Sequence, residues 1–205
     1  MTAGPSRTIS PARHRRMVFG IGLGKTGTTS LAMAMSQLGY LVKHAPSYVD
    51  EIKKCEFAND IAVAWRFRFL DHVFPHAKFI LTVRDKAAWL TSWRTHLVRN
   101  QGNGLLRRLE NRFMCFGRTD FDEKAFAAAY DHHVSDVLHH FRERPEKLLV
   151  VDVCTGQGWD TLCPFLGVPI PASAFPHRNK RTRRKLERQR EFTDGKEPMI
   201  ATDRR

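Results

Sequence analysis

The chain has few cysteines, no long apolar run and a shortage of acidic side chains. Its four cysteines, Cys55, Cys115, Cys154 and Cys163, have no paired C-x-x-C spacing, which argues against a disulfide framework or a cysteine-based zinc site. No stretch approaches the roughly 18 to 20 consecutive apolar residues that cross a bilayer. The basic segment 1–16 is not followed by the apolar core of a secretory signal. These absences predict a cytoplasmic protein without a membrane span.

Lysine and arginine outnumber the acidic residues by 34 to 21, and the net charge is +13. Most of this excess lies at the two ends of the chain. Segment 1–16 has four basic residues and no acid, and 177–205 has eleven basic against five acidic, so the ends together hold +10. The body of the chain is close to neutral, and aromatic residues that could stack on bases are nearly absent from the C-terminal tail. A nucleic-acid-binding fold is therefore not favoured, although polyanion binding by the tails stays open as an alternative.

The apolar pattern alternates between short strands and longer helices. The predicted strands are 17–21, 40–43, 78–83 and 147–153, and the predicted helices are 27–38, 64–74, 86–98, 123–142 and 159–166. Such alternation predicts a three-layer α/β/α fold around a central, mainly parallel sheet, with ligands at the carboxyl ends of the strands. Because 205 residues with 42% hydrophobic content suit one core, we expect a single domain over 17–181. A disordered basic extension over 1–16, a basic tail over 182–205 and a mobile lid over 100–120 complete the prediction.

The segment Gly20–Leu31 follows the first predicted strand and has the character of a phosphate-binding loop. Glycines let the backbone approach an anion closely, and the following helix directs its positive N-terminus at the same point. Lys25 adds a cation, and neighbouring threonines and a serine add hydroxyl groups. A Walker A loop would need a glycine five positions before Gly24, but Phe19 stands there, so that pattern fails by one residue.

The remaining run Lys25-Thr-Gly-Thr-Thr-Ser30 resembles the 5′-phosphosulfate loop of sulfotransferases that use 3′-phosphoadenosine 5′-phosphosulfate (PAPS). In that family an arginine at the end of a later strand and a serine eight residues further on bind the 3′-phosphate of the donor. Arg84 and Ser92 have this spacing after the strand 78–83. Further similar segments extend the resemblance over about residues 17–181, and none of them is specific for an acceptor.

The resemblance implies a P-loop-type fold and sulfuryl transfer from PAPS to a hydroxyl of a small-molecule or carbohydrate acceptor by in-line displacement, without a metal. Lys25 is the implied catalytic cation. The implied donor-binding residues are Gly24, Lys25, Thr26, Gly27, Thr28, Thr29, Ser30, Arg84 and Ser92, together with Arg178, Lys180 and Arg181 of the basic C-terminal segment.

A hydroxyl acceptor also needs a base, and two residues are candidates. His44 follows the second predicted strand, close to where related sulfotransferases have an acid or base, and Asp60 resembles a recurring aspartate of the compact branch of the family. Both are predicted to stand near the carboxyl edge of the sheet. The sequence does not decide between them.

Two other functions remain open at this stage. A P-loop kinase would use ATP, with Thr26 and Asp152 handling magnesium, but the misplaced first glycine and the Arg84/Ser92 spacing argue against it. His132, Asp136 and either His139 or His140 share one face of a predicted helix and could bind zinc, although the apolar stripe beside them favours a packed structural helix.

Overall fold

The computed structural model describes residues 17–46, 49–99 and 106–177. Its centre is a sheet of five parallel strands in the order β2-β3-β1-β4-β5. The strands are β1 (Val18–Gly20), β2 (Val42–His44), β3 (Phe57–Asn59), β4 (Lys78–Thr82) and β5 (Leu148–Val151). The helices are α1 (Thr28–Gln37), α2 (Val49–Ile52), α3 (Ile61–Ala64), α4 (Phe67–Val73), α5 (Lys86–Arg99), α6 (Leu106–Phe116), α7 (Glu123–Phe141) and α8 (Trp159–Leu166), with a 3₁₀ turn at Pro145–Lys147.

Successive residues of β1 point to opposite faces of the sheet, and each face is covered by helices. Val18 packs with Leu31 of α1 and Leu162 of α8 in one apolar cluster. Phe19 packs on the other face with residues of α4 and α7, including Phe141. The α/β fold with a parallel sheet between helical layers is thus confirmed, and β1 and β3 are buried at every residue because helices cover both faces of the sheet.

Two local predictions differ from the structure. Strand β3 was not predicted, because three residues are too few to show an alternating pattern. The helix expected over 64–74 is observed as α4, which begins only at Phe67, and Ala64 is instead the last residue of the short helix α3. Residues 106–116 of the expected lid form the helix α6, whose Phe116 is buried, and the movement of this segment as a lid stays a prediction. The expected extension 1–16 and tail 182–205 lie outside the described residues.

The connections around β1 create the crevice in which a ligand can sit. From β1 the chain passes through α1 to β2 on one side of the sheet, whereas from β4 it passes to β5 on the other side. The loops after β1 and β4 therefore diverge, and ligands of open α/β sheets bind at such a switch point. None of the helices in the described ranges is long and apolar enough to span a membrane.

Candidate active site

The loop between β1 and α1 takes a conformation that depends on two of its glycines. A β-carbon on Gly22 would lie 1.9 Å from Thr82 Oγ1, so only glycine permits this approach to β4. Gly27 has φ 98°, and a β-carbon there would lie 2.2 Å from Val153 Cγ2. Helix α1 begins directly afterwards, and its first turn contains no acidic residue. The positive end of the helix therefore faces the loop without an acidic residue in its own first turn.

Two tryptophans of α5 bind the same backbone oxygen of the loop. Trp89 Nε1 and Trp93 Nε1 donate to the carbonyl of Gly24 at 2.8 and 2.9 Å, inside an aromatic cluster formed by α5, α6 and α7. In a planar trans peptide the next N–H points opposite to the carbonyl. The N–H of Lys25 is therefore directed away from the aromatic cluster. This part of the loop is fixed by buried donors, although Lys25 itself has φ 75°.

The Thr26 hydroxyl has a structural partner on each side. It is fully buried, donates to Leu23 O at 2.7 Å and lies 2.6 Å from Thr82 Oγ1. The sequence predicted this hydroxyl as a ligand donor, whereas the structure has it joining the loop to β4. Thr29 is partly exposed in the first turn of α1, and Ser30 is buried there.

Arg84 extends from the end of β4 toward the same loop. Its Nη1 donates to Lys25 O at 3.1 Å. The Tyr130 hydroxyl accepts from Arg84 N at 3.0 Å and donates to Arg84 O at 2.6 Å, which fixes the backbone of this residue. Because a guanidinium has five N–H groups, most of them keep no acceptor within the described chain. Ser92 is partly buried on α5, and its hydroxyl has no hydrogen-bond partner among the described residues.

Lys25 is a partly buried cation that makes no ion pair within the described residues. Burial lowers its pKa, and the negative charge of Asp60 opposes this effect. Its Nζ lies 5.9 Å from the centroid of the Trp93 ring. A cation that loses hydration without gaining a close carboxylate is stabilised by any anion that enters the crevice.

The two candidate bases lie next to each other, beside the start of α1. Nε2 of His44 is 4.0 Å from Asp60 Oδ2, and the Thr28 hydroxyl is 3.5 Å from Asp60 Oδ1. A β-carbon on Gly24 would lie 3.6 Å from the same Oδ1 atom. Asp60 has φ 95° and caps α3 without a side-chain hydrogen bond to it. The structure thus brings Lys25, Asp60 and His44 to one edge of the sheet.

Sequence reasoning did not identify several residues that shape this site. They include Asn59, Trp89, Trp93 and Tyr130, and His133 of α7, whose Nε2 donates to Ile21 O at 2.7 Å. Burial lowers the pKa of His133, which favours the neutral imidazole. The pair of tryptophans four residues apart was a usable signal, since that spacing puts both on one helical face. Nothing local marked Asn59 or His133.

The possible zinc face on α7 is occupied by ion pairs. Asp136 pairs with Arg68, and His140 Nε2 lies 2.8 Å from Asp71 Oδ2. Across the described ranges no group of three potential metal ligands occurs. The predicted donor-binding residues Arg178, Lys180 and Arg181 lie outside the described residues.

Comparisons with known proteins agree with this architecture. The family profile described as "Sulfotransferase domain" matches residues 17–63 and 49–184. The Ava biosynthesis cluster protein M of Aspergillus versicolor is 24% identical over 210 aligned positions, which cover 78% of this chain and 79% of that protein. The crystal structure of a sulfotransferase from Alicyclobacillus acidocaldarius superposes with a TM-score of 0.54 at 16% identity, covering 88% of this chain and 92% of that one. The structural match supports the fold, and because the family profile spans most of the sequence, this chain belongs to the sulfotransferase domain family.

Proposed function

We propose that the protein transfers the sulfuryl group of PAPS to a hydroxyl of a small-molecule or carbohydrate acceptor. The main support for the proposal is that two cationic side chains lie at the loop after β1, one from the loop itself and one from the end of β4. Lys25 has no carboxylate partner within the described residues, and Arg84 reaches its backbone oxygen from the end of the neighbouring strand. Two phosphate groups on one adenosine nucleotide would occupy these two positions.

The residues present fit the 5′ end of the donor. No side chain caps the N-terminus of α1, its first turn has no acidic residue, and Lys25 lies in the loop just before it. Gly24 and Gly27 lie in the loop before α1, and Thr28, Thr29 and Ser30 are the first three residues of the helix. These five residues are proposed to line the position of the 5′-phosphosulfate. Thr26 contributes by holding the loop against β4. When bound, PAPS supplies the sulfuryl group and a phosphate leaving group.

Arg84 is proposed to bind the 3′-phosphate. Tyr130 fixes its backbone, and the hydrogen bond from Nη1 to Lys25 O holds the guanidinium beside the loop with several donors available. Ser92 on α5 offers a hydroxyl to the same phosphate. Arg178, Lys180 and Arg181 are proposed to add positive charge from the C-terminal segment.

Catalysis in this proposal is mainly electrostatic. Negative charge grows on the oxygen between sulfur and phosphorus as the transfer proceeds, and the Lys25 ammonium stabilises it. A base must also take the proton of the acceptor hydroxyl. His44 and Asp60 are the candidates, and both lie beside the loop that holds Lys25.

The kinase alternative needs magnesium ligands that the geometry does not favour. The Thr26 hydroxyl, which would have to bind the metal, is buried between Leu23 O and Thr82 Oγ1. Asp152 Oδ1 accepts from the backbone N–H groups of Cys154 and Thr155 at 2.8 and 3.2 Å, so this carboxylate is used in its own turn.

The proposal is tested by calorimetry with two product nucleotides that differ in one phosphate. We expect 3′-phosphoadenosine 5′-phosphate to bind more tightly than adenosine 5′-phosphate by about 2 to 4 kcal/mol, which is roughly 30- to 1,000-fold. Arg84→Ala should remove most of this difference in affinity. Lys86 is a neighbouring exposed lysine on α5, and the control variant Lys86→Ala should keep the difference.

Equal affinity of the wild-type protein for the two nucleotides would contradict the proposal. So would an Arg84→Ala variant that still discriminates between them. A parallel thermal-shift series with ATP and magnesium tests the kinase alternative, which predicts the larger stabilisation there.

A further inference from the structure

Asn59 is a fully buried polar residue in the middle of the sheet. It ends β3, and the parallel register puts it opposite Gly20 of β1 on one side and His44 of β2 on the other. A β-carbon on Gly20 would lie 2.6 Å from Asn59 Cβ, so the glycine provides the space for this side chain. A buried amide must satisfy both its donor and its acceptor to be tolerated there.

The two ends of the Asn59 amide can be told apart by their partners. Nδ2 lies 2.7 Å from the carbonyl oxygen of Thr28, and a carbonyl can only accept. The amide nitrogen therefore donates to the first residue of α1, and Oδ1 is the atom that faces His44. Oδ1 lies 2.7 Å from His44 Nδ1 and can only accept, so Nδ1 carries the proton.

This proton assignment determines what the other imidazole nitrogen can do. In a neutral imidazole with its proton on Nδ1, Nε2 has a free lone pair and is the basic atom. Nε2 lies 4.0 Å from Asp60 Oδ2, which is beyond hydrogen-bonding distance. Nε2 therefore makes no hydrogen bond to this carboxylate, and its lone pair can accept a proton from a hydroxyl group.

Asp60 has neighbours that compete for its negative charge. The Thr28 hydroxyl is 3.5 Å from its Oδ1, and its charge counteracts the loss of basicity that burial imposes on Lys25. Asp60 thus has an electrostatic role beside Lys25 that does not require it to accept a proton.

We infer that Asn59 is a positioning residue that holds His44 in the Nδ1–H tautomer, so that His44 Nε2, and not Asp60, is the base of the reaction. This inference rests on the proposed transfer to a hydroxyl. The acceptor hydroxyl gives its proton to His44 Nε2 while its oxygen forms the new bond to sulfur. The bond between sulfur and the bridging phosphate oxygen breaks, and its electron pair leaves with the nucleotide phosphate.

The same amide also connects the base to the donor loop. Because Asn59 is bonded to Thr28 O on one side and to His44 on the other, the imidazole is held relative to the start of α1. Acceptor deprotonation and donor binding thus share one rigid contact, which keeps the reacting groups in a constant relative position.

The direct test is nitrogen-15 NMR of the histidine side chains in the protein without ligand, at about pH 8, where an ordinary imidazole is neutral. His44 is assigned as the signal that His44→Asn removes from the set of ten histidines. We expect a protonated Nδ1 and an unprotonated Nε2. A protonated Nε2 in the wild-type protein would overturn the inference without any reference to activity or to the donor.

Variants then separate positioning from folding. Asn59→Leu removes both hydrogen bonds and should lose the tautomer preference and lower kcat by about 10- to 100-fold, with a clearly smaller loss of nucleotide affinity. Asn59→Asp keeps an acceptor for Nδ1–H and should keep the tautomer, so it serves if the leucine variant fails to fold. A changed tautomer in Asn59→Asp, or full kcat in Asn59→Leu, would contradict the inference.

Asn111 provides a matched control. It is also a buried asparagine, and its Oδ1 accepts from Trp65 Nε1 at 3.2 Å. Asn111→Leu should lower stability by a comparable amount but leave the His44 tautomer and kcat unchanged. If the protein shows no nucleotide binding, the proposed function fails, whereas the tautomer measurement still decides the role of Asn59.

Discussion

Two buried charged side chains at opposite ends of the strands differ in the partners that the protein gives them. Near the starts of β4 and β5, Asp71 is only 6% exposed, and it contacts Lys147, the Arg144 guanidinium at 2.7 Å and the His140 imidazole at 2.8 Å. At the carboxyl edge, Lys25 is partly buried without an ion pair in the described residues. The chain surrounds the first charge with its own partners, whereas the second charge has no ion-pair partner within the described residues.

The shifts in the pKa values of Asp71 and Lys25 agree with this difference. Burial alone would raise the pKa of Asp71, but hydrogen bonds from Lys147, His140 and Arg144 outweigh it and hold the pKa below its usual range. Burial lowers the pKa of Lys25, and the charge of Asp60 offsets only part of that effect. A charge stabilised by the protein contributes to folding, while a charge that the protein leaves uncompensated contributes to binding.

The largest expected effect is on turnover at the carboxyl edge. Lys25→Ala should lower kcat by about 100- to 1,000-fold, because the cation is used mostly in the transition state, while nucleotide affinity changes much less. Stability should be unchanged or slightly higher, since a poorly compensated charge has been removed. Steady-state kinetics, calorimetry and urea unfolding measure the three quantities.

Lys147→Ala is the matching change near the starts of β4 and β5. It removes one partner of buried Asp71, so stability should fall while kcat per folded molecule stays near the wild-type value. A Lys25→Ala variant with near wild-type turnover would show that Lys25 is not the catalytic cation.

The next effect is on stability. Asp71→Asn should lower the free energy of unfolding by about 3 to 5 kcal/mol, because three basic groups lose the carboxylate that they share in a buried position. Asp131→Asn is the control: its ion pair with Lys86 at 2.7 Å is exposed and should contribute about 0 to 1 kcal/mol. Urea unfolding of both variants checks the contrast, and equal losses would refute it.

The Asp71 contribution should also depend on pH. Because the folded-state pKa lies below the ordinary value of 3.8, the stabilisation is complete above that value and is lost as the pH falls through the lowered folded pKa. The stability difference between wild type and Asp71→Asn should therefore shrink in acid. A difference that is constant from neutral pH down to about pH 2 would contradict this assignment.

The smallest effect concerns the support of the donor loop. Trp93→Phe keeps an aromatic ring but removes one of the two hydrogen bonds to Gly24 O, so stability should fall by about 1 kcal/mol and nucleotide affinity by a few-fold. Trp159→Phe removes a similar bond, to Ser173 O at 2.7 Å, away from the loop. Trp159→Phe should lower stability about as much as Trp93→Phe does, but leave nucleotide affinity unchanged. If both variants lose affinity, the loss reflects general destabilisation and not the support of the loop.

Much of this protein follows from its local sequence. The loop from Gly20 to Leu31 and the strand before Arg84 are contiguous patterns, and the physical requirements of a phosphate loop and a buried strand can be recognised within a few residues. The same is true of the alternation that predicts a parallel sheet between helices. These features need no knowledge of distant contacts.

Other features were decided only when distant segments met. The sequence predicted the Thr26 hydroxyl as a ligand donor, but Thr82, which lies 56 positions away, takes it in the fold. His44 and Asp60 were alternative candidates from the sequence, and the register of β2 and β3 puts Asn59 between His44 and the start of α1. Local patterns determined the loop and the sheet because they depend on neighbouring residues, whereas proton positions and hydrogen-bond partners depend on strand register, which exists only in the tertiary structure.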